Sequence, residues 1–281
     1  MTVITRRTAL TTAFAGGAAA CARAPVKSPF DAAAASKGGV FAHGVASGDP
    51  DHQSVVLWSR LSPAAPAAQT VAWQIAETED FARPVAEGAV VASPENDFTC
   101  KAVAAGLSTG RRYFYRFRAG DAVSPTGRTR TVPEGRIDEA RFAVVSCSNY
   151  PFGYFNVYDR IAREEGLDAV LHLGDYIYEY GTEGYGGEAG RTLDRNHEPS
   201  HEILTLDDYR RRHAQYKSDP SSQAMHAAHP LIPIWDDHET ADNSWTDGAN
   251  NHDPETEGPW EDRKRAALQA YYEWMPVRDP A

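Results

Sequence analysis

The spacing of hydrophobic positions divides the chain into two parts. In the first part, short runs alternate apolar with polar residues between Pro and Gly turns, as in Ser54–Leu61, Thr70–Ile75 and Arg112–Phe117. A period of two is typical of strands that bury one face, and a series of such strands favours an antiparallel sandwich. We therefore predict an all-β domain over residues 38–133.

A glycine-flanked corner supports this prediction. Gly106–Gly110 precedes Tyr113, as at the entry to a late strand of a fibronectin-like or immunoglobulin-like sandwich, where a tyrosine anchors the corner. Cys100 lies on a neighbouring strand-like run, and we interpret it as a small core residue.

The spacing of hydrophobic positions changes after about residue 140. Three apolar runs alternate with three helical patterns: Phe142–Val145, Asn156–Glu165, Ala169–Leu173, Leu206–Lys217, Leu231–Trp235 and Glu261–Trp274. Strands that alternate with helices predict crossover connections and a largely parallel sheet, hence an α/β domain over residues 139–281. The glycine-rich stretch Glu183–Gly190 and the polar run Asp194–Ser200 predict a long loop, which is either functional or a surface excursion. Arg210–His213 predict a basic solvated helix face in preference to a phosphate-binding one.

Composition and charge narrow the function. The chain has 281 residues, of which 42% are hydrophobic and 24% charged, as in ordinary globular proteins. The formal net charge of -11 argues against a nucleic-acid-binding surface, which needs clustered Lys and Arg. Bound cations would reverse the sign of the charge locally, so phosphate esters stay acceptable as substrates.

The N-terminus has the pattern of an export signal. Arg6 and Arg7 precede a weakly apolar stretch, Ala9–Ala20, that is too short to span a bilayer. Residues 1–25 therefore predict a cleaved twin-arginine-type signal and a periplasmic or extracellular location. Cys21 follows three alanines, which leaves two readings open: a lipoprotein site without its usual Leu, or an ordinary cleavage site beside an incidental cysteine. Contact with a membrane is expected only through a lipid anchor at Cys21.

Each apolar run of the second part ends in residues with metal or acid-base chemistry. Cys147 and Asn149 follow the first run, and a cysteine there is either a buried small residue or a metal-binding thiolate. Asp175 follows Gly174 after the second run and supplies a hard oxygen ligand. The carboxyl ends of parallel strands face one crevice, so we expect these groups to converge.

The third run ends in the densest cluster, Asp236, Asp237 and His238. Adjacent carboxylates repel unless a cation or a shared proton offsets the repulsion, and histidine can bind a metal or move a proton near neutral pH. Three such clusters at three strand ends predict a functional site.

These motifs resemble a known family. The order of the three clusters is similar to calcineurin-like metallophosphoesterases. The variants Ser146–Ser148, Gly174–Glu179 and Trp235–Glu239 resemble the PhoD family of alkaline phosphatases and phosphodiesterases. Phe41–Pro50 and Val56–Leu61 resemble the opening of that family's N-terminal β domain.

The resemblance implies a cofactor and a role for each site residue. Cys147, Asp175 and Tyr178 would bind Fe3+, and Asp175 would also bridge to Ca2+. Asp237 would be a further ligand, and His238 would be the catalytic residue that stabilises the transition state or protonates the leaving oxygen. Asp236 and Asn149 would support the ligands or contact phosphate. The alternative for Tyr178 is an ordinary aromatic residue that packs against the sheet, which we would favour without Cys147 nearby.

The resemblance also implies an αββα metallophosphoesterase sandwich whose second half is missing from residues 139–281. We therefore expect the N-terminal portion of an exported phosphoesterase that hydrolyses phosphate mono- or diesters by metal-activated water. The alternative is a noncatalytic exported protein that binds metal or phosphate through a partial site.

Overall fold

The computed structural model describes residues 40–63 and 66–280, so the predicted signal and Cys21 lie outside the described residues. The strands are β1 Val45–Gly48, β2 Ser54–Arg60, β3 Gln69–Ala76, β4 Pro84–Ala92, β5 Thr99–Ala105, β6 Arg112–Ala119, β7 Ala122–Val123, β8 Gly127–Arg130, β9 Phe142–Val145, β10 Ala169–His172 and β11 Leu231–Pro233. The α-helices are α1 Asn156–Ala162, α2 Gly187–Leu193, α3 Leu206–Ser218, α4 Pro220–Ala228, α5 Pro254–Glu257 and α6 Trp260–Trp274.

The strands form two sheets. One has the order β4-β3-β6-β7, with β8 also paired to β6, and these pairings are antiparallel. The other has six strands in the order β5-β2-β1-β11-β10-β9. Its second half, β9 to β11, is parallel as the sequence predicted.

The six-stranded sheet crosses the predicted domain boundary. β1 pairs in parallel with β11 through Gly48 and Leu231, so β1, β2 and β5 extend the sheet of the α/β part. Edge strands carry unpaired backbone N–H and C=O groups. The pairing of β1 with β11 satisfies some of these groups on both strands. The alternating pattern alone indicates strands and does not reveal which sheet they join.

The two faces of β9 to β11 differ. On one face, Val170 and Leu231 belong to a buried core that also contains Tyr176 and Met225. On the other face, large apolar side chains are exposed within the described residues: Phe142, Val144, Leu173 and Ile234. The described part of the α/β domain is therefore packed on one side of its sheet.

Two expectations from the sequence are wrong. The glycine-rich segment predicted as a loop contains helix α2. The basic run on α3 is also not a solvated face, because Arg212 and His213 are fully buried. The hydropathy pattern ranks Arg as polar and cannot reveal that the burial of Arg212 is compensated by hydrogen bonds to three carbonyl oxygens.

Other expectations for the β domain are met. Cys100 is fully buried in its core. The Tyr113 hydroxyl accepts a 2.8 Å hydrogen bond from the Ser108 backbone N–H, which ties the corner before β6 to the strand.

None of the helices in the described ranges combines the length and apolar character that a membrane span requires.

A buried lysine lies where the two parts of the chain pack together. Lys217 Nζ lies 4.9 Å from the ring centroids of both Trp58 and Tyr176. It donates to the Tyr176 hydroxyl at 3.1 Å and lies 3.2 Å from His226 Nε2. Burial lowers the pKa of Lys217 to about 7. Below this pH, the buried charged amine therefore lowers the stability of the native state.

We predict that Lys217→Met stabilises the protein at neutral and lower pH. The cost of burying the charged lysine is fully present below pH 7 and disappears as the pH rises toward the ordinary value of 10.5. Tyr176 keeps its 2.8 Å hydrogen bond to His226 in the variant. The expected gain in Tm at pH 7 is at least about 2 °C, corresponding to about 1 kcal/mol in a protein of this size.

Thermal unfolding from pH 6 to pH 10 tests this prediction, with Lys264→Met as the control. Lys264 is paired with Glu261 on the surface of α6, so its variant should show no comparable pH-dependent gain. A gain for Lys217→Met that is equal at pH 6 and pH 10 would contradict the assigned cause.

Candidate metal centre

The loops after β10 and β11 lie in direct contact. Gly174 has φ +96°, and a Cβ on it would meet the Asp236 Cβ at 2.3 Å. Only glycine permits both this backbone conformation and this close approach. The glycine thus brings the Asp175 loop against the loop that carries Asp237 and His238.

A fully buried carboxylate fixes the two loops together. Glu239 accepts hydrogen bonds from the backbone N–H groups of Tyr176 at 2.5 Å, Asp236 at 2.8 Å and Asp175 at 3.2 Å. Burial raises the pKa of Glu239 to about 7, although the hydrogen bonds from Tyr176 and Asp236 oppose the rise. One side chain therefore sets the spacing of both loops.

Three predicted site residues converge at this junction. Asp175, Asp237 and His238 each offer one ligand atom, and these atoms lie within 4.8 Å of one another. Tyr178 donates a 2.9 Å hydrogen bond to Asp175 Oδ2. Asp175 Oδ1 is buried without a hydrogen-bond partner among the described residues. An unpaired buried carboxylate oxygen fits a bound cation.

The orientation of His238 is set by a buried glutamate. Its Nδ1 lies 2.8 Å from Glu179 Oε2, and its Nε2 lies 4.0 Å from Asp242 Oδ1. Burial would lower the pKa of His238, but the hydrogen bond to Glu179 and its negative charge raise the pKa to about 9. Glu179 thus occupies Nδ1, and Nε2 is the ring nitrogen left for other contacts.

Glu179 is a residue to which the sequence assigned no role. Its side chain is fully buried, and Oε1 accepts from the Asp242 backbone N–H and from Asn251 Nδ2, both at 2.7 Å. It thus connects His238 to the loop that follows. In the sequence, only the position of Glu179 directly after Tyr178 links it to the site. A surface glutamate at that position would look the same.

The segment that carries Tyr178 is held by buried Arg212. The guanidinium donates to the carbonyl oxygens of Tyr178, Glu198 and Pro199. The Tyr178 ring stacks on His238 with a centroid distance of 4.3 Å and an interplanar angle of 28°. Tyr178 thus packs as an aromatic residue while its hydroxyl faces the candidate site.

Cys147 lies at the edge of this centre. It has φ +57°, its side chain is exposed, and its backbone N–H donates to the Gly174 carbonyl at 3.1 Å. Burial, the Asp175 carboxylate and then the Cys147 thiol raise the pKa of Tyr178. Cys147 is not one of the three residues whose ligand atoms cluster.

The two supporting residues differ in their surroundings. Asn149 is buried, and neither its Oδ1 nor its Nδ2 has a hydrogen-bond partner among the described residues. Asp236 is exposed beside Gly174. Asn149 therefore has the hydrogen-bonding capacity for a ligand, whereas Asp236 lies on the rim.

The chain matches models and relatives of one family. The model for the PhoD-like phosphatase matches residues 142–281, and the model for the PhoD-like phosphatase N-terminal domain matches residues 24–133. Alkaline phosphatase D of Bacillus subtilis (strain 168) is 43% identical over 250 residues, which are 85% of this chain and 41% of that protein.

A solved structure supports the same relationship. The structure of PhoD superposes with a TM-score of 0.77 at 41% identity and covers 85% of this chain and 46% of that one. The chain thus spans less than half the length of both relatives. Its fold is metallophosphoesterase-like, and it belongs to the PhoD-like phosphatase family.

Proposed function

We propose that this chain is part of an exported, metal-dependent phosphoesterase that hydrolyses phosphate mono- or diesters. The observation that carries the proposal is the convergence of Asp175, Asp237 and His238 from two strand ends. A matched relative bears the name alkaline phosphatase D, and the chain covers 41% of its length. The proposal includes an αββα arrangement for the complete catalytic domain and a fibronectin-like N-terminal domain.

The proposed cofactors are Fe3+ and Ca2+. Cys147, Asp175 and Tyr178 would hold the iron, and Asp175 with Asp237 would contact calcium. The unpartnered Asp175 Oδ1 and the backbone hydrogen bond that holds Cys147 beside Gly174 support this assignment. When bound, such cations lower the pKa of a water molecule and neutralise phosphoryl oxygens.

The residues of the chain would then position and protonate the substrate. Glu179 holds the charged His238 ring through Nδ1, which leaves Nε2 free to donate a proton to the leaving oxygen. Asn149, with both polar side-chain atoms unpaired, would contact phosphate. Hydrolysis of a chromogenic phosphate mono- or diester by the full-length protein, together with metal analysis, tests the proposal. A folded, metal-free and inactive full-length protein would contradict it.

We predict that Cys147→Ala lowers iron content and phosphoesterase turnover. The variant removes the proposed soft thiolate ligand and leaves the hard oxygens of Asp175 and Asp237. Iron per chain, measured by mass spectrometry, should fall by at least about half. Turnover should fall by at least about tenfold, because even the loss of a group that only supports a metal ligand has an effect of that size.

Cys100→Ala is the matched control, because Cys100 is buried in the core of the β domain. Its variant should keep its iron even if its Tm falls. Retained iron and unchanged turnover in Cys147→Ala would refute the proposed role of Cys147.

We predict that His238→Asn lowers kcat by roughly 10²-fold or more, as expected when a general acid is lost. Iron content should be retained, because the proposed iron ligands are other residues. His201→Asn serves as the control, since the His201 side chain is exposed and pairs with Asp208. Loss of metal in parallel with loss of turnover would instead identify His238 as a ligand.

Export is also proposed, with residues 1–25 as a twin-arginine-type signal. Replacement of Arg6 and Arg7 by Lys keeps the charge but removes the arginine pair, so the protein should accumulate in the cytoplasm. Cell fractionation measures this. Cys21→Ser should release the exported protein from the membrane fraction if Cys21 is lipidated, and normal export of the double-lysine variant would disprove the signal.

A further inference from the structure

A row of aromatic rings extends outward from the candidate metal centre. The Tyr180 ring lies 5.5 Å from His238, and the Tyr185 ring lies 5.8 Å from Tyr180. Phe152 completes the row with its centroid 4.9 Å from that of Tyr185. We refer to Tyr180, Tyr185 and Phe152 as the aromatic row. It runs without a gap from the proposed proton donor to the surface.

The outer end of the aromatic row is exposed within the described part of the chain. Tyr185 is 58% exposed and Phe152 is 51% exposed, and their planes meet at 62°. Adjacent exposed aromatic side chains are unfavourable in water and often mark a binding site. Their position beside a metal centre indicates contact with the substrate.

The backbone around the row is built to hold these rings. Gly186 has φ +93°, and a Cβ on it would lie 3.3 Å from Phe152 Cε2. Helix α2 follows directly, and Arg191 from that helix donates a 2.7 Å hydrogen bond to the Thr182 carbonyl. The backbone segment that carries Tyr185 is thus held on both sides of this residue.

We propose that the aromatic row binds the leaving group of the substrate and selects esters whose leaving group has a planar aromatic ring, such as a nucleobase. This inference rests on the proposed phosphoesterase function. In the reaction, water oxygen bonds to phosphorus as the phosphorus–oxygen bond to the leaving alcohol breaks. His238 gives a proton to the leaving oxygen, which departs as the alcohol, and the proton released by the attacking water returns to His238.

The charges near the row limit the size of the substrate. Glu183 and Glu188 lie on the same segment and are exposed. Glu183 is paired with Arg191 at 3.2 Å, so it is the Glu188 carboxylate, together with the net charge of -11, that would repel the further phosphates of a polyanion. A single nucleotide ester fits this surface better than a nucleic acid strand does.

The test compares adenosine 5′-monophosphate with methyl ribofuranoside 5-phosphate in the metal-loaded, full-length enzyme. Both esters release a primary sugar alcohol, so they differ in the base and not in the leaving oxygen. If only diesters turn over, the methyl diesters of both compounds replace them. The wild-type enzyme should prefer the adenosine ester in kcat/KM.

Tyr185→Ala should lower kcat/KM for the adenosine ester by about tenfold, in the range that loss of one base-stacking ring produces. The value for the methyl riboside ester should stay within about twofold if the ring stacks only on the base. Tyr185→Phe should retain the preference, because it keeps the ring and removes only the hydroxyl. Tyr154→Ala is the control: Tyr154 is similarly exposed, but its ring lies near Arg195.

The outcomes separate the two proposals. Hydrolysis of both esters with no preference, or an equal loss for both in Tyr185→Ala together with a lower Tm, overturns the role of the aromatic row and leaves the phosphoesterase proposal intact. Absence of hydrolysis for every ester overturns both.

Discussion

The candidate site depends on one buried carboxylate. Glu239 accepts backbone N–H groups from both strand-end loops, so the distance between Asp175 and Asp237 follows from its geometry. Hydrogen bonds to a carboxylate are stronger than neutral ones, and leaving these N–H groups buried without a partner would cost about 1–3 kcal/mol each. Gly174 is also needed for this spacing of the loops, because Asp236 lies so close that a side chain at position 174 would clash with it.

The sheet places this junction at the carboxyl ends of β10 and β11. Because β11 also pairs with β1, the β domain is joined to the strand that leads into Asp237 and His238. Helix α3 connects the same regions on one face, since Arg212 holds the Tyr178 segment and Lys217 packs against Trp58. The position of the centre is thus linked to the packing between the two parts of the chain.

The sequence predicted the strands, the main helices and the residues that converge, because apolar periodicity and strand-end chemistry are local properties. Long-range contacts left no such local signal. Glu179 and Glu239 looked like ordinary acidic residues within their motifs, and Arg212 looked like part of a solvated face. Their burial is made possible by partners far along the chain. The pairing of β1 with β11 escaped prediction for the same reason.

The electrostatics of the site explain why a cation is required for the proposed activity. Asp175, Asp237 and Glu179 surround His238, so the polypeptide alone would repel a phosphate ester. Arg212, which holds the Tyr178 segment, is engaged by three carbonyl oxygens. In the proposed enzyme, bound metals would supply the positive charge that phosphate needs. The carboxylates that would repel the substrate when no metal is bound are also the proposed ligands of the metals.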